Sequence, residues 1–514
     1  MLNIIHLLDQ RYVSILPFLV FVYFLIKWLT SPLVAHKKPP PTPPNLPVLG
    51  NLHQIGLYPH RSLVPLAQRY GPLMLLHFGS KPVVIVSSTE SAREIMKTHD
   101  LVFSSRPKLS VAEKLLYNLK DVAVAPYGEH WRKMRSICVL QLLSNRRVQS
   151  FRAVREEEVE FLMEKIQQNS SLSLPVNMSE MFSSLTNDVI CRVAFGKKYN
   201  NGEDGKKFTK LMDDLMRLLG SSLNIGEFIP WLGWVNWVNG FNAKIDRTAK
   251  DFDEVIDGIL EEHMMNNQED KTHRNGKEDP NKDLVHILLE LQKENASEFS
   301  LDRERIKALI LDMFLGGSDT SSTVLEWTMT ELLRHPRIMK ELQNEIRRIT
   351  HEKSKVTEDD LNEMHYLKLV IKEALRLHPP FPLLAPRESI QDAKIMGYDI
   401  AAGTMVLINA WGLARDPNTW TKPEEFWPER FLNNPVDFKG HHLEFIPFGA
   451  GRRGCPGMPF ATALVELALA NLVKNFEWSL PGGAKGDDLD IAESIGITTR
   501  RNNPLITIAT SISH

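Results

Sequence analysis

A largely helical fold with a few small β-sheets is what this 514-residue chain predicts. Three observations point that way. The stretch from about Arg303 to Arg334 reads as one long helix, with Ile306, Leu309, Ile310, Met313, Trp327 and Leu332 among its apolar positions. Met458 to Phe476 is apolar almost all the way round, which marks a helix buried on every side. Strand signals, by contrast, are short: Leu73–Phe78 and Val83–Val86 flank Gly79-Ser80-Lys81-Pro82 as a hairpin, and a strand region from Lys394 to Asn409 is broken by Gly397 and Gly403.

Composition narrows the function. The length suggests two to four ordinary domains, although single catalytic domains reach this size. With 61 Lys+Arg against 63 Asp+Glu and no basic patch, nucleic acid is not an expected partner. Cys138, Cys191 and Cys455 are too few and too scattered for a disulfide framework and lack zinc-pair spacing, so a reducing compartment is expected.

Taken in order, the chain opens with an apolar run from Val13 to Ile26, extended by Trp28 and Leu29 toward the ~20 residues a bilayer span needs. Lys27, Lys37 and Lys38 follow it. A cleaved signal peptide would carry its charge first, so the run predicts a single-pass anchor over about 13–30 with the rest of the chain on the cytosolic side. The sequons at Asn169, Asn177 and Asn295 are then expected to be unmodified. Pro39 to Pro47 cannot form helix or sheet and is expected as a stiff spacer within a hinge at 31–50, leaving 51–514 as one catalytic domain. Trp131 and Arg135, four apart on a helix, share one face; alone, an ordinary amphipathic helix with a snorkelling Arg explains them as well. The polar stretch from Asn266 to Asp283 reads as a surface loop without chemistry.

Inside the long helix sits Gly316-Gly317-Ser318-Asp319-Thr320. Each Gly costs a helix interior roughly 1 kcal/mol, and Ser, Asp and Thr compete for the backbone. A π-bulge or groove is expected here, either as a packing kink or as a place where a small ligand approaches. Glu373 and Arg376 are three apart on a helix from about Leu367 to Leu377 whose apolar stripe leaves both largely on the other side. Pro379 to Leu384 reads as an extended apolar segment.

Near the C-terminus, Phe448-Gly449-Ala450-Gly451-Arg452-Arg453-Gly454-Cys455-Pro456-Gly457 allows a tight backbone path beside something flat. Cys455 precedes the apolar helix, so the positive end of the macrodipole is expected to favour the metal-binding thiolate; a lone Cys in such a turn is otherwise a buried, inert one.

The pattern Phe448-x-x-Gly451-x-Arg453-x-Cys455-x-Gly457 resembles the haem-binding loop of the cytochromes P-450. The resemblance continues through Trp131-x-x-x-Arg135, Gly316-Gly317-x-Asp319-Thr320, Glu373-x-x-Arg376 and Pro428-Glu429-Arg430-Phe431, in the family's order. The wording around these motifs is similar to the plant A-type members of specialised metabolism. The resemblance implies a mainly α fold with small β-sheets to one side, and haem b (iron protoporphyrin IX) between the long helix and the helix after the Cys loop. Cys455 would be the axial ligand of iron, a thiolate that pushes electron density toward O–O cleavage. Trp131, Arg135 and Arg453 would hold the propionates, with Arg387 and Arg106 as further candidates and Phe448 beside the ring. Thr320 would hydrogen-bond dioxygen or its water and Asp319 would help relay protons. Glu373, Arg376 and Arg430 would form a buried charge network that locks the Cys loop. Leu309, Met313, Gly316, Leu383, Leu384 and Ile495 are candidate substrate walls, which suits a hydrophobic substrate.

The activity implied is NADPH- and O2-dependent monooxygenation of a terpenoid, phenylpropanoid or coumarin, or alkaloid. A separate NADPH-cytochrome P-450 reductase would deliver the electrons, with cytochrome b5 as an optional second donor. The implied location is the endoplasmic reticulum membrane, where lipid is a further partner. A haem-thiolate isomerase or dehydratase, or a non-enzymatic haem sensor, are the alternatives.

Overall fold

The computed structural model describes residues 38–512, apart from 199–201, 221–224, 271–281, 295–300 and 352, together with Val22. The span expected over 13–30 thus lies, Val22 aside, outside the described residues, as do the sequon at Asn295 and most of the polar stretch after Asn266. Among the described residues no helix is long and apolar enough to cross a membrane.

The longer helices are α1 (Pro59–Tyr70), α2 (Glu129–Ile137), α3 (Arg152–Ser171), α4 (Met178–Phe195), α5 (Gly202–Gly220), α6 (Phe241–Asp270), α7 (Leu284–Glu294), α8 (Arg303–Gly317), α9 (Asp319–Arg334), α10 (Pro336–Ile349), α11 (His365–Leu377) and α12 (Met458–Asn475). The long central helix is therefore two, interrupted at Ser318. Its start is set by Asp302, whose carboxylate accepts from the Arg305 N–H at 2.8 Å. Helix α9 is buried almost throughout despite its hydroxyls. They are satisfied by the helix itself: Thr323, Thr328 and Thr330 donate to the carbonyls of Asp319, Val324 and Glu326 at 2.6–2.8 Å. Helix α12 is buried along most of its length, as its unbroken apolar sequence requires, and packs against α3, α9, α10 and α11; α8 and α9 pack on α4.

Among the described residues nine short strands form three small sheets: β1 (Leu73–Phe78), β2 (Lys81–Val86), β3 (Val176–Asn177), β4 (Arg387–Glu388), β5 (Ala393–Ile395), β6 (Tyr398–Ile400), β7 (Met405–Ile408), β8 (Phe476–Ser479) and β9 (Ile506–Ser511). The largest has the order β1-β2-β7-β4. Its centre pairs Val83–Val86 in parallel with Met405–Ile408, all buried, which is why both runs are continuously apolar rather than alternating. The region from Lys394 to Asn409 resolves into the β5–β6 hairpin, which turns at Met396-Gly397 with positive φ at both residues, and then β7.

The proline stretch does not stand clear of this core. The Leu75 N–H of edge strand β1 donates to the Pro41 carbonyl at 2.9 Å, and the Asn51 amide donates to the carbonyls of Pro43 and Pro44 at 3.3 Å. Polyproline backbone has no internal hydrogen bonds, so its carbonyls are free to cover the open edge of a sheet.

Candidate active site

The Cys455 loop is held by its own backbone. The Cys455 N–H donates to the Phe448 carbonyl at 2.9 Å, and Gly454 N–H donates to Gly451 at 3.0 Å. Gly451 has φ +68°, and a Cβ there would lie 2.5 Å from the Met96 carbonyl oxygen, so no other residue fits. The Phe448 ring meets Phe438 edge-on at 5.3 Å. Arg452 points outward to Asp100 at 3.0 Å.

Cys455 is exposed between buried neighbours, Arg453 and Phe460. Yet burial pushes its thiol pKa up, although the N–H groups of Gly457 and Met458 and the Arg135 guanidinium pull the other way. Both observations hold for a sulfur lining an enclosed recess rather than open solvent. Helix-end electrostatics was expected to favour the thiolate; desolvation outweighs it. A metal ion at the sulfur reverses that balance, because coordination deprotonates a thiol outright.

Four guanidinium groups gather on the same side, and they are answered mainly by neutral carbonyls. Arg453 donates to Ser104 and Ala125 at 2.6 Å and to Val122 at 3.3 Å. Arg106 donates to Ala123, Ala385 and Pro386 at 2.6–3.1 Å. Arg387 donates to Phe103 and Ala450 and stands 3.7 Å from Asp100; Arg135 donates to Gly454 at 2.6 Å. Burial pulls Arg453 down to about 9 and Arg387 to about 10. It pulls Arg106 well below the usual arginine range, with Arg453 and Arg387 adding to the effect. The guanidinium groups stay cationic at neutral pH, so the cluster carries positive charge that an anionic group would relieve. A reachable thiol beside such a cluster fits a group that joins a metal ion to carboxylates, as haem does.

Trp131 belongs to this assembly in a different way from that expected. Its indole N–H donates to the Val122 carbonyl at 3.0 Å, and the Arg453 guanidinium stacks on its ring at 4.0 Å. The indole therefore positions Arg453 and is not itself free to meet a ligand.

The break between α8 and α9 is a single residue, Ser318, and no π-helix occurs there. Its two glycines do different work. A Cβ on Gly317 would sit 2.4 Å from Ile190 Cδ1 of α4, whereas one on Gly316 would meet nothing within 4 Å. Gly317 thus lets α4 approach, while Gly316 and the half-buried Thr320 border open space in an otherwise buried helix. The Thr320 hydroxyl donates to the Gly316 carbonyl at 2.6 Å. Asp319 is buried, accepts from the Thr498 hydroxyl at 2.5 Å and is paired with Arg500. Sequence reasoning missed Arg500 and Thr498, some 180 residues away, for which the sequence offers no local signal.

It also missed Asp312, where a signal existed: one acid inside the apolar run Leu309–Leu315. The Asp312 carboxylate accepts from the Val122 N–H at 2.6 Å and so ties α8 to the segment whose carbonyls hold Arg453 and Trp131. Burial raises Asp121 to about 6, and burial together with Asp121 raises Asp312 well above the usual carboxylate range.

Glu373 and Arg376 are completely buried, as the family resemblance implied and the periodicity of their helix left open. The carboxylate accepts from Arg376 Nε and Nη2 at 2.8 and 2.9 Å, and from Arg430 Nε and the Trp427 N–H at 2.9 Å. Arg376 continues to the carbonyls of Ala414 and Pro423, and Arg430 to Thr421 and Lys422. These bonds fasten α11 to residues 414–430. They reach no residue of the Cys455 loop, so the expected lock acts upstream of it.

The candidate walls are only partly together. Met313 and Leu383 are half-buried against the large apolar core, and Leu384, with φ +51°, packs on a separate smaller cluster that includes Val84, Val406 and Ile408; Leu309 is fully buried in the large core. Ile495 is exposed, and its loop runs close to α5, where a Cβ on Gly220 would lie 3.1 Å from the Ile497 nitrogen. Thr499 ties the same loop to the carbonyls of Pro379 and Pro380 at 3.0 Å, which brings the C-terminal loop beside the Pro379–Leu384 segment.

Comparison with known proteins shows the family. The Cytochrome P-450 family model matches residues 40–507. A cytochrome P-450 of Prunus mume is 55% identical over 496 residues, which cover 95% of this chain and 94% of the relative. Norfluorocurarine oxidase of Strychnos sp is 50% identical, covering 97% of this chain and 98% of the relative. Tabersonine/lochnericine 19-hydroxylase of Catharanthus roseus is 48% identical, covering 98% and 99%. Among solved structures, a zebra fish cytochrome P-450 with progesterone superposes with a TM-score of 0.76 over 88% of this chain and 100% of that chain. At 24% identity that likeness bears on the fold alone.

Proposed function

This chain belongs to the cytochrome P-450 family, and from that premise we propose that it is a monooxygenase of plant specialised metabolism that takes electrons from NADPH through a separate reductase and oxidises a hydrophobic substrate, an alkaloid before a terpenoid or a phenylpropanoid. The observation that carries the reading is the reachable Cys455 thiol beside the buried arginine cluster. Haem b, when bound, supplies the oxygen chemistry. Cys455 would hold its iron. Arg453, Arg387 and Arg135 would neutralise its carboxylates, and Trp131 holds Arg453 in place.

Thr320 has spent its hydroxyl proton on the Gly316 carbonyl, so its oxygen is left as an acceptor beside the open face of the helix. Asp319 is the nearby proton carrier, and Thr498 and Arg500 hold its carboxylate. Met313, Gly316, Leu383, Leu384 and the Ile495 loop exclude water and orient an apolar substrate. The alkaloid preference rests on the relatives named for norfluorocurarine and for tabersonine/lochnericine.

Residues 51–514 act as one catalytic domain on the cytosolic face of the endoplasmic reticulum, behind an anchor at about 13–30. The exposed Trp231, Trp234 and Trp237 suit a membrane-proximal surface. The test uses microsomes containing the full chain and reductase. A substrate among candidate alkaloids should shift the haem spin state and drive NADPH consumption with a product one oxygen heavier, and Cys455→Ala should lose both this activity and the carbon-monoxide difference band. A Cys455→Ala protein that keeps that band overturns the ligand assignment; product formed without NADPH or O2 overturns the monooxygenase reading.

A further inference from the structure

A second set of metal-type ligands shares no residue with the Cys455 site. His263 lies on α6, Asp283 is the residue before α7, and His286 stands in the first turn of α7. Their ligand atoms all lie within 4.8 Å of one another. His263 Nε2 is 3.1 Å, and His286 Nδ1 2.9 Å, from the same oxygen, Asp283 Oδ2. We propose that these three side chains bind one divalent transition-metal ion, zinc by their chemistry, which clips α6 to the start of α7.

The donor set narrows the ion. Two imidazoles and one carboxylate suit zinc and its first-row divalent neighbours, whereas calcium and magnesium require mostly oxygen ligands and copper(I) prefers sulfur; zinc is the one that needs no redox chemistry and settles in a tetrahedral site. In a tetrahedral site with zinc–ligand bonds of ~2.0–2.2 Å, neighbouring ligand atoms stand roughly 3.3 Å apart. The two spacings to Asp283 need to open by only a few tenths of an ångström. The imidazole–imidazole spacing closes by movement of His286, whose side chain is 27% exposed while those of His263 and Asp283 are 5% and 7% exposed. His286 is therefore the ligand on the solvent side, where a water would complete the coordination.

Second contacts already orient the ligands, as they do in metal centres. His263 Nδ1 faces the Ile259 carbonyl at 2.7 Å and so carries the ring proton, which turns the Nε2 lone pair toward the site. Asp283 Oδ1 accepts from the His286 N–H at 2.9 Å and caps α7, leaving Oδ2 to face the two imidazoles. Room at that oxygen depends on a glycine: a Cβ on Gly196, at the end of α4, would stand 3.0 Å from Asp283 Oδ2. The rival arrangement, Asp283 accepting hydrogen bonds from both rings with no ion, uses the same contacts, so the experiment has to separate them.

The full-length, untagged, haem-loaded protein is stripped with EDTA and dialysed to equilibrium against micromolar Zn2+, and zinc and iron per chain are counted by mass spectrometry. One zinc per chain is expected in addition to the haem iron. His286→Ala and Asp283→Asn, the second keeping an oxygen for the helix cap, should each weaken zinc binding about tenfold or more. Their carbon-monoxide difference bands should match the parent's, which shows that they are folded. Zinc should raise the thermal midpoint of the parent and not of either variant. No zinc retained by the parent, or equal retention by the parent and both folded variants, overturns the proposal and leaves the hydrogen-bonded triad.

Discussion

Replacing Glu373 with Ala strands a buried cation, and the size of the effect follows from its partners. The carboxylate accepts four hydrogen bonds, three from Arg376 and Arg430 and one from the Trp427 N–H. Arg376 is completely buried and Arg430 nearly so, so water cannot replace the lost charge without opening the core. What remains for Arg376 is neutral: the carbonyls of Ala414, Pro423 and Glu425. Removing one partner of such a buried pair costs about 3–5 kcal/mol. Set against a total stability of about 5–15 kcal/mol, that is about a fifth or more of what holds a typical domain together. Urea unfolding followed by circular dichroism, which does not depend on haem, should show the midpoint fall in Glu373→Ala and fall less in Glu373→Gln, whose amide oxygen, placed as Oε1, still accepts three of the four bonds. A Glu373→Ala protein whose unfolding free energy lies within about 1 kcal/mol of the parent would refute the argument, because an unpaired buried guanidinium cannot be that cheap.

Thr320→Ala removes one hydroxyl from Gly316 and about 1 kcal/mol of stability. The protein should keep its haem spectrum while consuming more NADPH per product, and an unchanged ratio counts against a role for Thr320 in proton handling. The two glycines beside it should behave oppositely. Gly317→Ala drives a methyl group into Ile190 and should cost about 1–3 kcal/mol by overpacking, less the ~1 kcal/mol gained in helix propensity, with relief from Ile190→Val. Gly316→Ala meets no atom, so its thermal midpoint should hold or rise while the KM for substrate changes; equal midpoints for the two alanine variants would remove the distinction.

Features governed by local backbone are legible in the amino-acid sequence. The glycine spacing of the Cys455 loop, the i, i+4 placing of Trp131 and Arg135, the apolar helix after Met458 and the conflict inside Gly316–Thr320 all survive folding, because turns and periodicity are decided by near neighbours. Glu373 and Arg376 show where that stops. An apolar stripe says which face of a helix is buried first, and here α11 is enclosed on its other face as well, by residues 414–427.

By itself, then, the sequence determined the family, the helical class of the fold and the residue types of the site, since these follow from motif, spacing and hydrophobic period. Tertiary structure alone decided the partners: Arg500 and Thr498 on Asp319, Asp312 on Val122, Arg453 stacked on Trp131, and three metal-type ligands brought together from two helices. It also set burial against the helix-end effect at Cys455, because desolvation depends on everything packed around a group, whereas a helix end is visible from a few residues.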